Sequence, residues 1–152
     1  MAMSTGEPSG AQKWGETYAQ NYPTQKLFTA KLEELISGLV RTAGIDIVLI
    51  ESRTKEPASF LEKIQRKHKY VDPIAEIPDL SGVRVITYYA EDVEKIGDLL
   101  KQSFRVDESQ TRLSASVQDG VEFSYVSDHY VVDLGPQRHA LTEYAAFSGL
   151  RA

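Results

Sequence analysis

Between residues 46 and 104 the chain alternates strand-like and helix-like segments, and this alternation limits the fold more than any other feature. "DIVLIESR" (46–53) is β-rich and apolar at its centre, which predicts a strand. Pro57 suits a first helical turn, so a helix over 56–67 follows. "GVRVITYY" (82–89) is a second strand. In "AEDVEKIGDLLKQSF" the residues Val93, Ile96, Leu99 and Leu100 form one stripe, which predicts a second helix. Upstream, Phe28, Leu32, Leu35, Ile36, Leu39 and Val40 recur at helical spacing. They predict a helix over 24–42, with an alternative start near Lys13 and Gly44 as its C-terminal cap. "VEFSYVSDHYVVDL" (121–134) carries strand residues, with a break expected near 124–128, and the tail "RHALTEYAAFSGLRA" fits no single element type. Strands alternating with helices imply an α/β domain, a mixed sheet with helices packed on one face. Residues 1–12 read as a disordered lead and 13–152 as one domain, the unit expected for 152 residues.

Charge then narrows the function. The formal net charge is −5, which argues against a generally adhesive nucleic-acid binder, so any basic work must be local. The chain has no cysteine, which excludes disulfides, thiolate metal sites and cysteine nucleophiles and fits a reducing cytoplasm. No apolar run reaches the length of a membrane span. Neither a dinucleotide glycine fingerprint nor a Walker-type loop is present. If nucleotide phosphates bind, side chains must hold them.

Local basic charge is found between Arg53 and Lys69, where six Lys or Arg face two Glu. Arg53 and Lys55 are two apart, so an extended segment projects both from one face. Ser59 and Lys63 are four apart, so a helix gives them a common face, with Arg66 within one turn. Such a cluster is either a solvated helix face with ordinary i,i+4 pairing, as Glu62 before Arg66 allows, or a polyphosphate cradle of ammonium, guanidinium and hydroxyl groups. Asp79, in "IPDLSGVRV", is either a turn residue bonded to its own backbone or a ligand for Mg²⁺, which commonly takes one or two carboxylates plus phosphate oxygens. Arg84 lies between Val83 and Val85 and should face away from the core. In "YVSDH", Tyr125, Ser127 and His129 alternate, so a strand would give them one face, either half-exposed and inert or offering a π-face and hydrogen bonds to a nucleotide. His68, His129 and His139 lack metal-ligand spacing.

Taken together, these segments resemble the synthetase domain of the RelA/SpoT alarmone synthetases, including the small stand-alone ones. Arg53, Lys55, Ser59, Lys63 and Arg66 match that family's R-x-K-x-x-x-S-x-x-x-K-x-x-R string. Asp79, Leu80, Gly82 and Arg84 match its D-L-x-G-x-R segment, and Tyr125, Ser127 and His129 supply the end of its G-Y-x-S-x-H segment. The resemblance implies a nucleotidyltransferase-like synthetase fold and a GTP pyrophosphokinase. The β,γ-pyrophosphate of ATP would pass to the 3′-hydroxyl of GDP or GTP, giving (p)ppGpp and AMP. It implies that Arg53 and Arg84 sandwich adenine, that Lys55, Ser59, Lys63 and Arg66 orient the triphosphate, and that Asp79 is catalytic through Mg²⁺. Tyr125 would stack on the acceptor base with His129 near its phosphates, and Ser127 would bind the same nucleotide.

Two departures accompany the resemblance. Ser124 stands where the family has Gly before the Tyr, and "SVQDGVEF" (116–123) is not the basic loop of many relatives. These leave open a toxin-type pyrophosphotransferase acting on an adenosine nucleotide or tRNA, and a non-catalytic nucleotide-binding module. The sequence also stops at Ala152, where relatives continue into an E-[VI]-Q-[VI]-R-T strand. The expectation is an incomplete synthetase domain that keeps its donor-site residues and is catalytically crippled alone. Oligomeric state is left open, a homo-oligomer being one alternative; a membrane partner is not expected.

Overall fold

The structure, a computed structural model, describes residues 9–114 and 127–152. It opens on a long helix, α1 (Gly10–Thr42), which starts earlier than either Thr24 or Lys13. Ser9 Oγ accepts from the Gln12 amide at 3.2 Å, and Gln12 Oε1 accepts from the Ser9 amide at 3.1 Å. This reciprocal cap satisfies two donors that a helix start otherwise leaves bare. Residues 10–12, assigned to a disordered lead on sequence, are therefore its first turn. Pro23 sits inside the helix, where a proline removes one backbone bond and costs about 3 kcal/mol. Burial on both sides of it, Tyr18 before and Gln25, Phe28 and Thr29 after, opposes a break there. At the other end Gly44 adopts φ 71°, the left-handed conformation expected of a C-terminal cap.

The next elements fall within two residues of expectation: β1 (Ile47–Thr54), α2 (Pro57–Lys67), β2 (Ser81–Thr87) and α4 (Ala90–Ser103). A single turn, α3 (Pro73–Glu76), precedes β2 and is capped by the Asp72 carboxylate. The expected strand at 121–134 is reduced among the described residues to β4 (Val132–Asp133), paired with β3 (Arg105–Val106), and a bridge between Arg112 and His129. The break expected at 124–128 lies mostly outside the described residues. The tail folds into α5 (Pro136–His139) and a 3-10 turn (Ala145–Phe147).

β1 and β2 form an antiparallel ribbon in which Glu51 faces Arg84 and Arg53 faces Gly82. One face of the ribbon packs Ile50, Val83 and Val85 against a core of Phe28, Leu32, Ile36 and Val40 from α1, with Ile96, Phe104, Val132, Leu134 and Phe147. The other face, carrying Glu51, Arg53, Gly82 and Arg84, is exposed. Helices thus cover one side of a small sheet, as the α/β pattern implies; both described strand pairings are antiparallel. A second apolar cluster, Tyr18, Phe60, Ile64, Ile77 and Leu80, joins the front of α1 to α2 and to the turn before β2.

Between β2 and β4 runs a cleft of about 480 Å³, floored by Leu32, Ile36, Ile96 and Leu100. Lys55 N donates to Leu80 O at 2.7 Å, so the ladder alternation gives residues 82 and 84 to β1 and turns the backbone of 81, 83 and 85 toward this cleft. Across it, Val132 and Ala152 exchange both backbone hydrogen bonds, at 2.8 and 2.9 Å. The last residue therefore lies antiparallel against β4. No described helix is long and apolar enough to cross a membrane.

Candidate functional site

Three elements meet at Asp79. The residue sits in a turn whose neighbours Ile77 and Leu80 are buried, which pins the backbone and leaves the carboxylate half exposed. Lys55 follows β1 directly. Its amide is held by Leu80 O, and its carbonyl accepts from the Tyr18 hydroxyl at 2.5 Å. Lys63 rises from α2, which the buried Phe60 and Ile64 hold against α1. The result is one carboxylate between two ammonium groups: Lys63 Nζ is 3.2 Å from Asp79 Oδ1, and Lys55 Nζ is 3.6 Å from Oδ2.

Partial burial alone would push the Asp79 carboxyl up. The Lys63 hydrogen bond and the charges of Lys55 and Lys63 outweigh it and hold the group below the usual aspartate range. Asp79 is therefore an ionised, accessible carboxylate with two cations beside it. That suits Mg²⁺ bound by one carboxylate and completed by phosphate oxygens. Among the described residues no cluster of three acidic or histidine ligands offers an all-protein cage.

Of the predicted string's residues on α2, Ser59 and Arg66 do not join this group. Ser59 is exposed and makes no side-chain hydrogen bond among the described residues. Arg66 pairs along α2 with Glu62, Nε to Oε1 at 2.9 Å, the i,i+4 pairing that a plain solvated face would show. Both remain on the helix that carries Lys63.

Arg53 and Arg84 stand on the exposed face of the ribbon. The register makes them diagonal neighbours on one face, ~7–8 Å apart and somewhat less between Cβ atoms. Arg84 is steadied by Glu51, Nη1 to Oε1 at 3.3 Å. A second cleft, of about 1070 Å³, runs past them and is lined also by Tyr88, Tyr89, Ser127 and His129. Ser127 Oγ lies 3.2 Å from His129 Nε2. His129 lines both this cleft and the one containing Asp79. Tyr125, Ser124 and residues 116–123 lie outside the described residues.

Sequence reasoning missed the residues that brace this site from behind. Tyr18, Gln25 and Thr29 are buried on α1 and reach the strand roots at Lys55 and Ser81. The signal was a polar set on the same helical stripe as Phe28, Leu32 and Ile36. Tyr88 and Tyr89, two neighbouring tyrosines that fit a strand pattern by sequence, both remain exposed.

Helices on one sheet face, with cations gathered about one carboxylate where a strand begins, define a small α/β domain suited to a polyphosphate ligand. The chain belongs to the RelA/SpoT family: residues 52–143 match the region found in RelA / SpoT proteins. Its fold is that of an alarmone synthetase. The small alarmone synthetase 1 from Bacillus subtilis superposes with a TM-score of 0.60 at 22% identity, over 77% of this chain and 61% of that one. The same enzyme bound to its product pppGpp superposes with a TM-score of 0.53 at 23% identity, over 80% and 64%. The chain thus spans less than two thirds of either structure's length. No curated protein sequence matches it.

Proposed function

We propose that this domain binds Mg²⁺-ATP as pyrophosphate donor and serves a GTP pyrophosphokinase reaction with GDP or GTP as acceptor. The observation that carries the reading is the convergence of Lys55, Lys63 and Asp79 from three elements beside the Arg53–Arg84 face. In-line transfer to an alcohol asks a protein for positioning and for charge neutralisation rather than covalent chemistry. Lys55 and Lys63 would leave the Asp79 carboxylate and turn to the β- and γ-phosphates. Asp79 would hold Mg²⁺, which withdraws charge from the phosphate oxygens. Arg53 and Arg84 would take adenine between guanidinium planes by cation–π contact. Ser59 and Arg66 would engage the phosphates only when a ligand draws them in, Arg66 releasing Glu62.

On the acceptor side, His129 and Ser127 would receive the guanine nucleotide, with Tyr125 stacked on its base. The 3′-hydroxyl oxygen would give up its proton to solvent and form a bond to the β-phosphorus of ATP while the bond from that phosphorus to the α,β-bridging oxygen breaks, releasing AMP. A cytoplasmic setting, where both nucleotides are available, goes with this reading.

The test is transfer from γ-labelled ATP with GDP, GTP, ATP or uncharged tRNA offered singly. Label on a guanine nucleotide, even at a low rate, is the expected result. Label on the adenosine nucleotide or tRNA would replace the acceptor, and ATP binding without any transfer would make the domain a nucleotide-binding module.

A further inference from the structure

Inside the apolar stripe of α1 are three polar side chains, Tyr18, Gln25 and Thr29, exposed by only 1%, 3% and 3%. The Thr29 hydroxyl lies 3.0 Å from Gln25 O within the helix; the other bonds of these side chains leave it toward the roots of β1 and β2. The Tyr18 hydroxyl donates to Lys55 O. Gln25 Nε2 donates to Ser81 Oγ at 2.7 Å, and the Thr29 and Ser81 hydroxyl oxygens are 2.6 Å apart. Thr54 Oγ1 donates to Thr29 Oγ1 at 2.8 Å. Ser81 is itself buried and stands two residues after Asp79, while Thr54 lies between Arg53 and Lys55. Every bond of this network that leaves the helix therefore ends within two residues of a proposed donor-site group.

Buried hydroxyls and amides add little net stability, because each bond replaces one made to water. Apolar contacts could hold α1 to the sheet equally well. What they could not supply is direction, since a hydrogen bond fixes distance and angle together. The Lys55 peptide is held from both sides, by Leu80 O on its amide and Tyr18 on its carbonyl. Burial pushes the Tyr18 phenol well up, so it stays a donor. Its ring stacks on Phe60 at 4.5 Å between centroids, and Phe60 belongs to the helix that carries Lys63.

We propose that Tyr18, Thr29 and Ser81 are positioning residues through which α1 sets the separation of Lys55, Lys63 and Asp79 and thereby the affinity for Mg²⁺-ATP. The proposal rests on the donor-site reading above. Three variants separate it from a merely structural role. Tyr18→Phe keeps the stack on Phe60 and removes only the hydroxyl. Thr29→Val keeps the shape and removes the network hydroxyl. Thr29→Ser keeps that hydroxyl.

Calorimetric titration with a non-hydrolysable ATP analogue plus Mg²⁺, and separately with GDP, is run beside thermal melting. Tyr18→Phe and Thr29→Val are expected to weaken Mg²⁺-analogue binding by up to about tenfold, the scale of one lost hydrogen bond. GDP affinity should be unchanged, and Thr29→Ser should bind as the wild type does. Wild-type affinity in both hydroxyl-deleted variants would overturn the proposal, as would a parallel loss of analogue and GDP affinity that tracks the melting temperature. If Thr29→Val does not fold, Tyr18→Phe decides alone. A wild-type chain that fails to bind the Mg²⁺-analogue would instead overturn the donor-site reading, and this proposal with it.

Discussion

The Lys55–Asp79 side of the molecule and the His129 side are built differently. On the first, Lys63 and Asp79 stand on elements that share one apolar cluster with α1, Tyr18, Phe60, Ile64, Ile77 and Leu80, and Lys55 is tied to that cluster through Leu80 O and the Tyr18 hydroxyl. Buried hydrogen bonds from α1 reach the same backbone. On the second, His129 is held by a two-way backbone bridge to Arg112, beside two-residue strands. The Asp128 carboxylate accepts from the amide and hydroxyl of Ser114, tying 114 to 128 at the surface. Charged groups on the Asp79 side are thus fixed through a core, whereas those on the His129 side are fixed through a local backbone ladder. A tetra-anionic ligand needs cations held in advance, because strongly hydrated charges gain little from being gathered late. A base or ribose can be met by a looser edge.

The contrast is most exposed to a change at Asp79. Asp79→Asn keeps the shape and removes the charge, so transfer should fall on the order of 10³-fold while the fold persists, as steady-state rates and circular dichroism would register. Undiminished transfer would remove Asp79 from the metal role. Next in size is Phe60→Ala, which opens the cluster beneath Lys55 and Lys63. It should cost about 3–5 kcal/mol in denaturant unfolding and abolish Mg²⁺-ATP binding along with stability.

Gly97→Ala probes the opposite side. A methyl there would run into the Tyr130 ring and hydroxyl, next to His129. The expected loss is about 1–3 kcal/mol, with Mg²⁺-ATP affinity retained. Should Gly97→Ala abolish ATP binding as Phe60→Ala does, the two sides are one cooperative unit and the comparison fails.

The smallest effect is with pH. Since the folded Asp79 carboxyl lies below its ordinary value of 3.8, its pairing with the lysines stabilises the fold fully above that value and is lost as pH falls through the depressed one. The stability difference between wild type and Asp79→Asn should therefore be constant near neutrality and shrink below pH 3.8. A difference that persists unchanged into that acid range would place the carboxylate's contribution elsewhere.

Much of this was legible from residue order, for reasons that differ by element. β1, α2, β2 and α4 each carry one clean periodicity bounded by Pro57, Gly82 or a polar turn, so their limits were readable. The start of α1 was not. Pro23 reads as a stop, and the Ser9–Gln12 cap lies in a polar stretch without an apolar stripe to announce a helix. Equal spacing did not give equal outcomes in the basic string. Lys63 reaches Asp79 because the turn before β2 is pinned beside α2, whereas Arg66 meets Glu62 first. That selection depends on tertiary placement, which spacing does not encode. Thr29 and Ser81 went unread because a small hydroxyl in a helix or before a strand has many uses, and only burial distinguishes this one.

The most direct test of the central claim compares binding of a non-hydrolysable ATP analogue with and without Mg²⁺ in wild type and Asp79→Asn. In the wild type, Asp79 competes for Lys55 and Lys63 until Mg²⁺ engages it, so the analogue should bind far better with Mg²⁺ than without. In Asp79→Asn both lysines are freed, so Mg²⁺-free binding should tighten while the advantage of Mg²⁺ disappears. Identical affinities in the two proteins under both conditions would contradict the claim that these three side chains form one nucleotide-triphosphate site.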